Sequence, residues 1–536
     1  MNPKNEFATD PLLTDMYQIT MAYAYWKSGR HEDQAVFDLF FRKCPFGGEF
    51  TIFAGLSQAI ELVKNFRFNP AQIGYLRQLL PQADPEFFNW LSQVDCSKIK
   101  IYALREGSLA FPRVPLLRVE GPLAIAQLLE TGLLNLVNFA TLMTTNAARF
   151  RLAAGPDKSL LEFGLRRAQG PDGAMSASRY SYLGGFDATS NVLAGQVFGI
   201  PMKGTHAHAF VQSFTGFDDI KNPMLKTADG ECSKNFVDWV KKAQKVVMEK
   251  LELSSTNVGE LAAFTAYAMA FPNGFLALVD TYDTLQSGVP NFLAVALALK
   301  HLGYDPVGIR LDSGDLAYLS KEARKMFASF ADFLEKKMII CASNDIDEQT
   351  LWSLRQQGHE IDVFGVGTHL VTCKAQPALG GVYKLVEVNG RPRIKLSQDA
   401  VKTTLPGRKD AYRLYGEDDS PILDLLVLAG EDAPQAGQPV LCLDPFDGHK
   451  RVRVTPKTLE KLHQCFWDVS ETFENVGEPL QSLFEQRNHA KQSLEQLRED
   501  HKRPLNPTPY KVSVSQKLYD YLQELWSAEA PIPELK

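Results

Sequence analysis

Arginine, histidine and aspartate recur in this sequence at the ends of short apolar runs, where a folded chain can bring them together. In Thr205-His206-Ala207-His208 two imidazoles stand at i and i+2 and, on extended chain, share one face. Such a pair can hold a metal in a barrel hydrolase, although the further ligands needed at other strand ends do not appear. The competing readings are proton or phosphoryl chemistry by one of the histidines, or a buried structural imidazole. In Arg310-Leu311-Asp312-Ser313-Gly314-Asp315 the alternation points Arg310 and Asp312 to one side, and Asp315 is set to cap the helix that follows. An Arg at a strand end offers the planar fork that carboxylates and phosphates take. Gly365-Val366-Gly367-Thr368 begins like a dinucleotide fingerprint but lacks its third glycine. What remains is a glycine turn whose N–H groups and Thr368 hydroxyl can cradle a phosphate. There is no P-loop. With Glu162, Arg166 and Asp280 at further run ends, the pattern suits a small anionic substrate with several phosphates, Asp280 and Asp312 bridging through Mg²⁺ and water.

These residues need a scaffold that aligns strand ends. The runs LLEF (160–163), FLALVD (275–280), VGIRLD (307–312), MIICASND (338–345) and IDVFGVGT (361–368) alternate with helix-length stretches. VFGIPMKG (197–204) fits the same rhythm, made irregular by Gly199 and Pro201. Strand–helix–strand alternation predicts parallel strands with crossover helices. Because no strand opens a nucleotide fingerprint, the six runs favour a barrel over an open doubly wound sheet, with chemistry at the strand C-termini.

The flanks differ. Residues 1–100 read as helices around one strand, AVFDLFF (35–41); Leu13, Tyr17, Met21 and Ala24 share a helix face, with Asp15 and Gln18 forming a capping-box-like start. An amphipathic helix spans 122–143, a hairpin turns at Asn389-Gly390, short strands fill 405–455, and 457–536 is mostly helical. The expected division is 1–150 and 386–536 as two parts of a flanking α+β domain, around a 151–385 barrel that carries the site. A net charge of −6, from 57 basic and 63 acidic residues, gives no bulk attraction to nucleic acid or an anionic membrane. Polar residues interrupt the 122–143 stretch, so no membrane span is expected. The N-terminal MNPKNEFATDPLL reads neither as a secretory signal nor as a transit peptide. Seven cysteines without a C-x-x-C indicate a reduced, cytoplasmic chain with no zinc or disulfide framework.

Longer strings carry a resemblance. LLTDMYQITMAYAYW (12–26), FRKCPFGGEF (41–50), EFGLRRAQGPDG (162–173), GGFDATSNVLAG (184–195), GTHAHAFVQSF (204–214), GIRLDSGDL (308–316) and FGVGTHLVTC (364–373) resemble the longer, animal-type nicotinate phosphoribosyltransferases over nearly the whole chain. The resemblance implies a type II phosphoribosyltransferase fold: an irregular TIM-like α/β barrel flanked by an α+β domain built from both chain ends. It implies ATP-coupled transfer of 5-phosphoribosyl from phosphoribosyl pyrophosphate to nicotinate, giving nicotinate mononucleotide and pyrophosphate in NAD salvage. Mg²⁺ or Mn²⁺ and a homodimer with shared sites are also implied. By the same resemblance His208 is the phosphorylated histidine. Tyr17, reaching from the partner subunit, Thr205 and Arg310 contact nicotinate; Thr368, Gly367, Arg166 and Asp312 surround phosphoribosyl pyrophosphate; and Asp280 lies near the metal. The related nicotinamide enzyme places an acidic side chain where this chain has Ser190, so Ser190 favours the acid. The alternatives are a nicotinamide phosphoribosyltransferase and a metal-dependent barrel hydrolase using His206 and His208.

Overall fold

The computed structural model describes residues 9–334, 336–397, 402–469 and 480–530. The first eight residues, on which part of the leader reading rests, lie outside this set, as does part of the segment read as helical at 457–536. The chain divides into two compact units, Met1–Asn146 with Ala375–Lys536, and Ala147–Lys374.

The middle of the chain, called the inner unit by its place in the sequence as the unit made from both chain ends is called the outer, is built on a six-stranded parallel sheet ordered Leu276–Leu278, Gly308–Leu311, Ile339–Ser343, Val363–Val366, Ser159–Glu162 and Ala188–Thr189. Register places Leu278 beside Arg310, Arg310 beside Cys341, Ser343 beside Gly365 and Glu162 beside Thr189. The strand ends that carry polar residues are thus brought level. Each interior strand is short and apolar because both faces are covered. Helix Val289–His301, apolar on nearly every side, is buried along most of its length and packs on helix Phe236–Lys250. Its approach to the sheet requires Gly288, where a Cβ would fall 1.8 Å from the Val279 carbonyl oxygen.

The expected irregular TIM-like barrel is not confirmed: among the described residues the parallel sheet is not closed. The run 197–204 is not a strand: helix Val192–Phe198 ends on Gly199 at φ +68, and the chain then makes only a single bridge from Met202 to Thr189. Pro201 contributes its carbonyl oxygen to Thr189 N–H at 3.0 Å but has no N–H of its own to extend a ladder. The sheet therefore remains open between the 188–189 and 276–278 strands.

The outer unit holds two six-stranded sheets. One pairs Gln34–Phe40 antiparallel with both Leu117–Pro122 and Val382–Val388, joining early and late sequence. Its hairpin turns on Asn389 and Gly390 at φ +49 and +71, as a type I′ turn demands. The region after 457 opens with strands Thr458–Lys461 and Gln464–Asp468 before helices Leu483–Gln496 and Gln516–Glu529, so it is less helical than expected. Helix Met16–Lys27 buries Gln18, Ile19 and Ala22, whereas Leu13 and Tyr17 are 46% and 45% exposed. The predicted apolar stripe is therefore not the buried one, and Asp15 stands at the N-cap without a side-chain capping bond, its carboxylate accepting from the Thr131 hydroxyl instead. No helix of the described residues is long and apolar enough to cross a membrane.

Candidate active site

The strand ends of the inner unit enclose a cavity of about 710 Å³. Arg166, Ser190, Thr205, His208, Arg310, Asp312, Gly367 and Thr368 all stand on its wall, as do Phe163, Arg167, Lys203 and the turn Ser343–Asp345. Asp280 is not on the wall but bonds to the turn that follows Asp312. Tyr17 belongs to the outer unit, where its hydroxyl donates to Glu130 Oε1 at 3.2 Å.

Arg310 and Asp312 do face one side, as the alternation predicts. Arg310 Nη1 donates to Thr205 Oγ1 at 2.9 Å, while its buried Nε has no partner within the described chain. Asp312 accepts from Ser343 Oγ at 2.5 Å and approaches His208 Nε2 at 3.7 Å. His208 opens the short helix His208–Gln212, and its Nδ1 pairs with Thr281 Oγ1 at 3.0 Å. Both ring nitrogens of His208 are therefore oriented, with the imidazole still 39% exposed. Asp280 holds the turn together, accepting from Asp312 N–H at 3.0 Å and Ser313 Oγ at 2.5 Å; its buried Oδ1 has no partner. Asp315 caps helix Leu316–Ser329 through Tyr318 N–H.

At the opposite wall, Gly365 and Gly367 leave the backbone bare. A Cβ on Gly365 would meet the Phe163 ring at 2.5 Å, so glycine is required for the two strands to approach. Thr368 Oγ1 accepts from Arg167 Nη1 at 3.1 Å, and Arg167 lies 4.0 Å from Asp345. Arg167 and Lys203 were not singled out from the sequence; the doubled Arg in EFGLRRAQ was the available signal. Glu162, by contrast, is not available to substrate. Its buried carboxylate accepts from Gly164 N–H, from Ser178 Oγ at 2.8 Å and from Thr189 Oγ1 at 2.6 Å. Ser190 follows the neighbouring strand, Ala188–Thr189, and its hydroxyl donates to Glu162 O at 3.4 Å.

The two histidines of the H-x-H pair part company. His206 is 9% exposed, lies among Phe210, Phe264 and Tyr267, and accepts the Leu278 N–H on Nε2 at 3.3 Å. Burial lowers its pKa to about 4, with Arg310 and His208 adding to the effect. It serves as a neutral acceptor, and leaving the buried Leu278 N–H without it would cost about 1–3 kcal/mol. The shared-face metal pair of the sequence reading is thereby undone. Among the described residues there is no group of three or more His, Cys, Asp or Glu placed to hold a metal ion. The donors present fit a different use: Mg²⁺ is commonly held by one or two carboxylates, its own waters and substrate phosphates. Asp312 and the unpartnered Oδ1 of Asp280 suit that arrangement.

Open parallel α/β sheets bind ligands at their strand C-termini, and the arginines, Lys203 and bare glycine turn gathered there suit the class of α/β enzymes that act on small anionic substrates. Comparison with known proteins narrows the class. Residues 12–138 match the nicotinate phosphoribosyltransferase (NAPRTase) N-terminal domain, 297–432 the NAPRTase family, and 408–522 the nicotinate phosphoribosyltransferase C-terminal domain. Nicotinate phosphoribosyltransferase of Dictyostelium discoideum is 56% identical, over 100% of this chain and 91% of its own. That of Homo sapiens is 50% identical over 99% of each. The crystal structure of human nicotinic acid phosphoribosyltransferase superposes with a TM-score of 0.85 at 48% identity, covering 96% of this chain and 99% of that one. Nicotinate-nucleotide pyrophosphorylase from Pyrococcus furiosus, 19% identical with a TM-score of 0.60 over 92% of this chain and 97% of that one, shares the fold. The chain belongs to the nicotinate phosphoribosyltransferase family.

Proposed function

We propose that this enzyme transfers 5-phosphoribosyl from phosphoribosyl pyrophosphate to nicotinate, forming nicotinate mononucleotide and pyrophosphate in NAD salvage. The observation that carries the reading is the Arg310–Thr205 pair on the cavity wall, a fixed cation whose remaining donors suit a carboxylate. The pyridine nitrogen of nicotinate is a neutral nucleophile and needs no general base. Its lone pair forms the bond to the ribose C1 as the bond from C1 to the pyrophosphate oxygen breaks. The transition state resembles a ribosyl cation, so catalysis rests on positioning and on electrostatics. In our reading Arg310 and Thr205 orient the ring through its carboxylate. The Gly367–Thr368 turn, Arg166 and the adjacent Arg167 receive the phosphates. Asp312 and Asp280 would hold a Mg²⁺ or Mn²⁺ ion, which supplies charge neutralisation to the departing pyrophosphate when bound.

ATP coupling is assigned to His208, whose two oriented nitrogens suit a phosphoryl acceptor. Tyr17, exposed on its helix, is read as the residue offered to the ring from a partner subunit of a homodimer. The open sheet is read as the incompletely closed form of a TIM-like barrel. The cysteine pattern supports a cytoplasmic location, and Ser190 in place of a carboxylate favours nicotinate over nicotinamide.

Incubating the protein with phosphoribosyl pyrophosphate, Mg²⁺, ATP and nicotinate, nicotinamide or quinolinate should give a mononucleotide from nicotinate, little from nicotinamide and none from quinolinate. Absence of product from nicotinate overturns the reading. His208→Ala should keep a slow transfer but lose both ATP stimulation and acid-labile phosphate on the protein.

A further inference from the structure

The gap between the two edge strands of the inner sheet is spanned by a single stretch of chain, residues 201–206. On one side it meets Thr189 through its backbone: Thr189 N–H donates to Pro201 O at 3.0 Å, and Lys203 N–H donates to Thr189 O at 3.1 Å. On the other side no backbone ladder forms. There the outward N–H of Leu278, fully buried on the edge strand, is received by the side chain of His206 at 3.3 Å. Tyr267 packs edge-on at 4.7 Å from the imidazole, and Phe210 and Phe264 close the other sides. Thr205 and His208, immediately before and two residues after, are the wall groups that meet Arg310 and Thr281.

We propose that His206 is a positioning residue: its neutral Nε2 replaces the missing strand at the sheet opening and fixes Thr205 and His208 in the geometry that nicotinate binding and ATP coupling require. The acceptor is the working group and the three aromatic rings define its orientation. Burial keeps the ring uncharged, and the charged or titratable groups facing it are Arg310, His208 and Tyr267. The kinetic part of the proposal rests on the phosphoribosyltransferase reading, whereas the clip itself does not.

Two variants separate acceptor from packing. His206→Phe keeps an aromatic ring and removes the acceptor; His206→Gln keeps an acceptor oxygen and removes the ring. Hydrogen exchange of the peptide containing Leu278 reads the clip without reference to activity. It should quicken by tenfold or more in His206→Phe and by less than threefold in His206→Gln. In kinetics, His206→Phe should raise KM for nicotinate about tenfold and abolish most ATP stimulation, and His206→Gln should stay within threefold of the parent in both. Unchanged exchange at Leu278 in His206→Phe, or KM and stimulation both within twofold of the parent, overturns the proposal. If His206→Phe does not accumulate as folded protein, His206→Gln decides: near-parental exchange and kinetics support the clip, and a tenfold loss overturns it. A parent enzyme that makes no mononucleotide sinks the phosphoribosyltransferase reading and leaves the exchange result to judge the clip alone.

Discussion

The Arg413–Asp424 pair of the outer unit is firmly matched, whereas Arg310, Asp280 and Asp312 at the inner unit's strand ends are left with capacity to spare. Arg413 forms a two-pronged bond to Asp424, 2.8 Å on each arm, and gives a further bond to the Leu109 carbonyl oxygen. Asp424 also accepts from the Tyr510 hydroxyl at 3.0 Å. The ammonium of Lys409 spends its three protons on Asp38 and on the carbonyl oxygens of Leu405 and Gly407. Arg310 holds one neutral hydroxyl, and Asp280 and Asp312 are tethered through hydroxyl and backbone donors, with only the His208 imidazole, 3.7 Å from Asp312, as a cationic neighbour among the described bonds. The same residue types serve as structural fasteners in one unit and, in the proposed function, as ligand groups in the other. Completeness of pairing decides which, because a saturated charge has nothing left to offer a substrate.

Breaking a saturated pair should have the largest effect. Arg413→Met leaves Asp424 buried without its cation and should cost about 3–5 kcal/mol of stability in denaturant unfolding. A loss under about 1 kcal/mol would erase the distinction between the units. Arg310→Met should do the reverse, leaving the melting temperature within a few degrees while kcat/KM for nicotinate falls about a hundred- to a thousandfold, mainly through KM. A large loss of stability there would reclassify Arg310 as a fastener. Ser190→Asp, which adds a charge to the wall, should lower the preference for nicotinate over nicotinamide by about tenfold or more, read as the ratio of kcat/KM values.

The smallest effect concerns pH. Burial holds His206 at about 4 against an ordinary 6.5, so between these values the unfolded chain binds the proton and the folded chain does not. Its contribution is complete above pH 6.5 and is lost as pH falls towards 4, with Arg310 opposing its protonation throughout. His463 and His489, also held at about 4 by burial, add to the same acid slope. The melting temperature of the parent should fall over this range, and that of His206→Phe should fall less steeply. Parallel curves for the two proteins would remove His206 from the slope.

Much of the inner unit was legible because its signals are local. Short apolar runs ending in polar residues located the strands at 276–278, 308–311, 339–343, 363–366 and 159–162. Alternation set Arg310 and Asp312 on one side, and Asp315 announced a helix cap. The run at 197–204 misled because its apolar content is that of a strand, while Gly199 and Pro201 deny it the backbone geometry and the donor a ladder needs. The stripe of Leu13 and Tyr17 misled for a different reason. Periodicity marks a face but does not say what covers it.

The sequence by itself determined the elements, the family strings, and which polar residues terminate which strands. Those properties depend on neighbours a few positions away. Tertiary structure alone decided that Glu162 is consumed by three internal donors while Arg167 reaches the cavity, and that His206 receives a backbone N–H while His208 pairs with Thr281 and approaches Asp312. It also decided that the sheet stays open where a side chain stands in for a strand. These outcomes turn on hydrogen-bond partners dozens of residues apart, and no local pattern encodes whether a buried polar group is already satisfied.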